Sequence, residues 1–275
     1  ARPLVSAPAS REGQTFGGAS RIIAYANLVK LPHTVFALPF ALVGVVLASY
    51  RRPLRLGDIG WVVLAFTAAR FAAMAFNRIV DRDIDRDNPR TAMRELPRGI
   101  LRVGEAWISV ALASALFVFA SARLNELCLW LSPVALAWIF FYSFTKRFTR
   151  WSHLVLGWSL AIAPVGGYLA VTGAWSRPAW MLLALALAVA AWVGGFDIFY
   201  SLQDVRFDRE RKLESLPAAV GEARAIGIAR WLHALSVLCL VAVGFAVNGG
   251  VWYGIGVSAA AADRYAPYWY TLAVE

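Results

Sequence analysis

The most restrictive feature of this chain is a succession of unbroken apolar blocks, at about 31–50, 59–76, 103–122, 127–144, 154–173, 179–196 and 225–247, with a shorter one near 251–262. A helix needs roughly 20 apolar residues to cross the hydrocarbon core of a bilayer. Backbone immersed in lipid must satisfy its own hydrogen bonds, and for blocks of this length that means helices. The chain is therefore expected to be all-α, a polytopic membrane helical bundle forming one integral-membrane domain over residues 1–275. A hydrophobic share of 60%, a charged share of 16% and a mean hydropathy of +0.59 exclude an ordinary soluble domain.

Orientation follows from the basic residues, because Lys and Arg accumulate in cytoplasmic loops. Of the 27 Lys and Arg, Arg51, Arg52, Arg55, Arg123 and Arg177 fall on the side opposite the N-terminus, and Arg70 lies within the second block; the remaining 21 share one side. This predicts a protein of the cytoplasmic (inner) membrane with its N-terminus and functional end facing the cytoplasm. The net charge of +10 then reflects topology and attraction to anionic lipids rather than a nucleic-acid partner, since the arginines are dispersed among membrane loops. Residues 1–20 read as a flexible cytoplasmic tail without the pattern of a cleavable signal, and Arg21 to Lys30 as a short interfacial helix. Pro39 is expected to kink the first span. Cys128 and Cys239 lie inside apolar blocks and read as small core side chains.

Two acidic clusters close two of the blocks. Asn77, Asp81 and Asp85 end the second, and Asp204 and Asp208 end the sixth. Residues four apart share a helix face, so each cluster crowds like charges that need a cation. Oxygen-only ligands favour a hard ion such as Mg²⁺, which commonly shares its shell with phosphate oxygens. The acid-bearing blocks are four spans apart and share one orientation, which suggests two four-helix-like halves with cytoplasmic cap loops.

Other residues fit the same end of the molecule. Arg70 lies two turns before Asn77 and points toward whatever the first cluster caps; it serves either a substrate or an ion pair with Asp197. Asp197, Tyr200, Asp204 and Asp208 form one stripe if the sixth span continues as a helix. In the arginine-rich loop after the second span, Arg90 and Arg94 are the candidates for phosphate contacts, while Asp83 and Asp87 read as solvated partners of the arginines. Tyr142 near the end of the fourth span, with Lys146 and Arg147 just after it, either holds a diphosphate or an acceptor oxygen or is an interfacial aromatic with snorkelling cations. His33, at the mouth of the first span, either orients a second substrate or is an ordinary interfacial histidine.

With these motifs in hand, the chain resembles the UbiA-type intramembrane aromatic prenyltransferases over roughly residues 22–247. The resemblance rests on N-x3-D-x3-D at Asn77, Asp81 and Asp85 continuing into Arg90-Thr91 and Arg94, on D-x3-D at Asp204 and Asp208, and on YSFTKR carrying Tyr142 and Lys146. It implies eight or nine transmembrane helices. It further implies that Asn77, Asp81 and Asp85 hold one Mg²⁺ and Asp204 and Asp208 a second, both gripping a polyprenyl diphosphate with help from Lys146, Arg90 and Arg94. The segments KLPHTVFALPFALVG and TAMRELPRG look closest to the quinone branch, whose acceptors are aromatic carboxylates such as 4-hydroxybenzoate or a dihydroxynaphthoate. On that reading Arg70 holds the acceptor carboxylate and Asp197 orients its hydroxyl or takes its proton. The alternatives are another acceptor of the same superfamily (haem, chlorophyllide or a glycerol-phosphate lipid) and, from a different class, a secondary transporter, which would place ionisable groups near the membrane midplane.

Overall fold

The computed structural model describes residues 15–18 and 20–263, so most of the tail expected at 1–20 lies outside the described residues. The rest is helical: α1 (Arg21–Leu28), α2 (Leu31–Ser49), α3 (Leu56–Val80), α4 (Arg82–Asp87), α5 (Val103–Leu124), α6 (Glu126–Thr145), α7 (Ser152–Thr172), α8 (Trp180–Ser201), α9 (Val205–Glu210), α10 (Leu216–Val220), α11 (Glu222–Ala246) and α12 (Val251–Asp263). Among the described residues there is no strand. Seven helices, α2, α3, α5, α6, α7, α8 and α11, are long and apolar enough to cross a membrane. The short eighth block forms α12, of 13 residues.

Local chemistry explains the boundaries. Ser20 caps α1 by accepting a hydrogen bond from the Ile23 amide at 3.2 Å, and α1 lays Ala24 and Leu28 against Ala75 and Phe76 of α3. Helix α2 runs continuously through Pro39. Asn125 ends α5 and caps α6 by accepting from the Cys128 amide at 2.9 Å. Its amide group also donates to the carbonyls of Leu169 and Ala170 in α7 at 2.9 and 3.0 Å.

Helices α2, α3, α5 and α6 form one half, and α7, α8, α11 and α12 the other. Within the halves α3 packs on α5, and α8 packs on α7 and α11. The halves meet where α2 crosses α7. A Cβ on Gly44 would overlap the Pro164 carbonyl oxygen, and one on Gly167 would overlap that of Ala41; only glycine permits this backbone-to-backbone seam. Ala41, Val45, Tyr168 and Val171 fill the core beside it. Large apolar side chains such as Leu112, Trp130, Phe245 and Trp252 stay exposed on the outer faces, as suits helices that meet lipid.

In each half the second long helix breaks at the same end of the bundle and continues as a six-residue helix. Helix α3 gives way at Asp81 to α4. Helix α8 passes through a 3-10 turn at Leu202–Asp204 into α9. The continuous acidic stripe expected from Asp197 to Asp208 is therefore interrupted, and the loops that follow both breaks fold into a polar cap.

Candidate active site

Beneath the cap lies a cavity of about 2460 Å³. Its walls run from Lys30 and His33 at the cap end to Trp175 at the far end, and aromatic rings including Phe40, Phe66, Trp138 and Phe196 line it. Of the residues singled out from the sequence, His33, Arg70, Asn77, Arg94, Tyr142, Asp197 and Tyr200 face this cavity. Asp81, Asp85, Asp204, Asp208, Arg90, Lys146 and Arg147 do not line it; they form the cap layer.

The first cluster is buried and ion-paired. Asp81 and Asp85 are each 3% exposed. The helical hydrogen bonds persist across the break, Asp81 N–H to the Asn77 carbonyl at 2.9 Å and Asp85 N–H to that of Asp81 at 2.8 Å, so the i, i+4 spacing keeps its meaning. Asn77 donates to the Asp81 carboxylate at 3.1 Å. Lys146 Nζ reaches Asp81 at 2.9 Å and Arg147 at 3.3 Å, and Arg147 also donates to the Val80 carbonyl at 2.9 Å. Asp85 instead meets Arg94 at 2.6 Å and Arg78 at 3.8 Å.

The second cluster is more open. Arg90 holds Asp204 bidentately, Nε to Oδ1 at 2.9 Å and Nη2 to Oδ2 at 2.5 Å, and its third nitrogen donates to the Tyr200 hydroxyl at 3.0 Å. Asn88 adds a hydrogen bond to Asp204 at 3.2 Å. Asp208 lies beside Ser215, within electrostatic reach of Asp204 and Lys146, and among the described residues it has no ion pair.

The two caps are thus brought together by Arg90 of the first loop, whereas Arg94 stays within the first cap. Arg90 and Arg94 occupy Asp204 and Asp85, where the sequence suggested phosphate contacts. Asp83 pairs with Arg82 and Arg86 at 3.3 and 3.5 Å, as expected of a solvated partner. Asp87 meets Arg211 of the second cap at 2.8 Å. Tyr142, projecting from α6, lies within electrostatic reach of Asp81 and Arg94 of the first cap and of Arg70 and Asp197 deeper down.

One alternative needs correction. Asp197 does not pair with Arg70: its carboxylate accepts from His153 Nδ1 at 2.6 Å. The Arg70 Nε is buried with no hydrogen-bond partner among the described residues. Sequence reasoning also passed over Arg78, 4% exposed and donating to the Leu28 carbonyl at 3.3 Å, along with Asn88, Glu95 and His153. The Asn88-Pro89 step was a legible signal, because Asn commonly hydrogen-bonds the backbone two residues on, and here its side chain accepts from the Arg90 amide at 2.9 Å. Burial pushes the Glu95 carboxyl above the ordinary carboxylate range, opposed by Arg78, Arg94 and Arg98.

The donor chemistry suits a hard cation, since every candidate ligand atom is an oxygen. The Asp85 Oδ2 is buried without a hydrogen bond, its nearest cation being Arg78 at 3.8 Å, and Asp208 is disfavoured as a charge by burial and by Asp204 and has no ion pair among the described residues; both have coordination capacity left for a cation. In the protein alone each remaining acid faces Lys or Arg, and among the described residues no three His, Cys, Asp or Glu side chains are gathered as a metal site.

A bundle of membrane-length helices enclosing a long aromatic-lined cavity under two acid-bearing caps defines the class of intramembrane prenyltransferases. The chain belongs to the UbiA prenyltransferase family, whose family model matches residues 37–272, and it is an integral-membrane prenyltransferase. It is 30% identical over 216 residues to a 4-hydroxybenzoate octaprenyltransferase of Pseudomonas fluorescens (strain Pf0-1), covering 78% of this chain and 72% of the relative. Among solved structures, the apo form of a UbiA homolog from Aeropyrum pernix K1 superposes with a TM-score of 0.77 at 38% identity, over 82% of this chain and 84% of that one. A UbiA homolog from Archaeoglobus fulgidus bound to DMAPP and Mg²⁺ shares the fold, with a TM-score of 0.71 at 21% identity over 90% of this chain and 86% of that one.

Proposed function

We propose that the protein transfers a polyprenyl group from a polyprenyl diphosphate to the ring of an aromatic acid, 4-hydroxybenzoate or a dihydroxynaphthoate, in respiratory quinone biosynthesis, and that its cap faces the cytoplasm from the inner membrane. The observation that carries the acceptor reading is Arg70. A guanidinium whose Nε has no hydrogen-bond partner among the described residues, on the wall of a largely apolar cavity, is costly unless an anion joins it. A small aromatic carboxylate fits that demand, and a bidentate contact would fix its ring. The names of the curated relatives support the same acceptor class.

Asn77, Asp81 and Asp85 would hold one Mg²⁺ and Asp204 and Asp208 a second. When bound, these ions supply neutralisation of the charge that develops on the leaving diphosphate. Lys146, Arg147, Arg90 and Arg94 already stand among these acids; turning from a carboxylate to phosphate oxygens, they hold the diphosphate at the cap while the isoprenoid tail lies in the cavity below. The donor C–O bond opens toward an allylic cation. Aromatic faces such as Trp138 and Phe196 stabilise it by about 1 kcal/mol or more per desolvated contact, and the apolar walls exclude water.

The acceptor ring carbon beside the hydroxyl then forms the new C–C bond and releases its proton. Asp197 lines the cavity, as do Tyr142 and Tyr200, and is the group assigned to orient the acceptor hydroxyl and receive that proton, with the Tyr142 and Tyr200 phenols positioning the reacting partners and His33 at the cavity mouth guiding the acceptor in. The test is incubation of purified protein with Mg²⁺, geranyl diphosphate and each aromatic acid in turn. Prenylated acid is the expected product; its absence with both acids, while another acceptor is prenylated, would overturn the acceptor assignment.

A further inference from the structure

We propose that His153 is a positioning residue for Asp197, tying the second cap to the reacting groups in the cavity. His153 is the second residue of α7 and is 4% exposed. Its ring makes two contacts that together fix both its orientation and its tautomer. The Leu216 backbone N–H donates to Nε2 at 3.3 Å, so Nε2 carries no proton. The neutral imidazole therefore keeps its proton on Nδ1 and donates it to Asp197 Oδ2 at 2.6 Å. That contact consumes one carboxylate oxygen. The other has no protein donor among the described residues, and the side chain lines the cavity within electrostatic reach of Tyr142.

The position of Leu216 gives this contact its consequence. It opens α10 at the end of the segment that leaves Asp208, and two residues earlier the Glu214 amide donates to the Lys146 carbonyl at 2.8 Å. One strap thus rests on Lys146, the partner of Asp81, and on His153, the partner of Asp197. His153 also lies within electrostatic reach of Asp208. Helix α8 approaches α7 closely here: a Cβ on Gly157 would overlap the Ala190 carbonyl oxygen, and one on Gly194 would sit tightly against the Leu154 side chain and the His153 carbonyl oxygen, at 3.1 and 3.3 Å. A movement of the second cap that shifts Leu216 either carries the imidazole with it or removes the hydrogen bond that fixes its tautomer and orientation toward Asp197. The aim of the carboxylate is set by the loop that follows the second acidic pair.

This inference rests on the role assigned above to Asp197. It is tested by two replacements of similar size. In His153→Asn the amide nitrogen reaches the position of Nδ1 and keeps the contact to Asp197; in His153→Gln the terminal group reaches toward Nε2 and keeps only the contact to Leu216. With Mg²⁺, geranyl diphosphate and the aromatic acid that the wild-type protein prenylates, His153→Gln should lose at least tenfold in kcat/KM for the acceptor while the donor KM stays within twofold, and His153→Asn should recover most of that loss. Equal losses in the two variants, or a donor KM that rises as much as the acceptor effect, would overturn the positioning role. A wild-type protein inactive toward both aromatic acids would instead sink the acceptor reading, and this proposal with it. Thermal unfolding of both variants distinguishes a misfolded protein from a misaligned carboxylate.

Discussion

The two caps are built from the same plan and finished differently. Each follows a break in the second long helix of its half and each presents two aspartates. In the first, Asp81 and Asp85 are buried and each meets two cations, drawn from α3, the first cap loop and the end of α6. In the second, Asp204 is held from outside, by Arg90 and Asn88 of the first cap, and Asp208 is left beside Ser215 without an ion pair among the described residues. The first cap is therefore preorganised on its own, whereas the second depends on the first for its charge balance. Duplicated architecture does not imply duplicated electrostatics.

That contrast can be broken or sharpened by experiment. The largest effect is expected from the acids themselves. Asp81→Ala and Asp204→Ala should each cost at least about 10³-fold in kcat without unfolding the protein, as loss of a group that stabilises developing charge does; wild-type-like turnover in either variant would remove that residue from the machinery. Next comes the joint between the caps. Arg90→Ala strands Asp204 in a pair whose side chains are only 8% and 17% exposed, so it should lower unfolding stability by about 3 kcal/mol. A small change would mean that the second cap stands unaided.

Arg70→Ala probes the floor beneath both caps. It should raise the acceptor KM at least tenfold with little change in the donor KM, and equal effects on the two would make Arg70 structural. Glu95 tests the self-sufficiency of the first cap through pH. Its folded pKa lies above the unfolded value of about 4.3, so the folded state binds the extra proton, and stability is lost as pH rises from that value through the folded one. Glu95→Gln should accordingly raise the melting temperature at pH 8 relative to the unsubstituted protein, with the gap closing toward pH 4. The smallest effect is expected at the outer rim. Arg211 and Asp87 are 53% and 33% exposed, and Arg211→Ala should change stability by no more than about 0.5 kcal/mol.

Much of this was legible in the residues, because hydrophobic length and four-residue spacing are local properties. The apolar blocks locate the seven long helices, and the spacing from Asn77 to Asp85 survives the helix break because the backbone hydrogen bonds carry across it. What sequence hid is which cation each acid meets. Arg90 lies 114 residues from Asp204 in the chain, and no periodicity encodes that pairing. The contacts of Asp197 were hidden for the same reason: a single histidine at the start of an apolar span resembles many interfacial histidines until Leu216 and Asp197 are folded onto its two nitrogens. The stripe expected from Asp197 to Asp208 missed the 3-10 turn because Leu202–Asp204 contains no proline or glycine to announce it.

The glycine seam between α2 and α7 has a mechanical corollary. Two main chains in contact, with no side chains to repack between them, cannot slide or rock without collision, so the spine joining the two halves is stiff by construction. Entry of a bulky lipid and departure of its prenylated product must then be accommodated away from that spine, by helices whose neighbours are side chains rather than bare backbone.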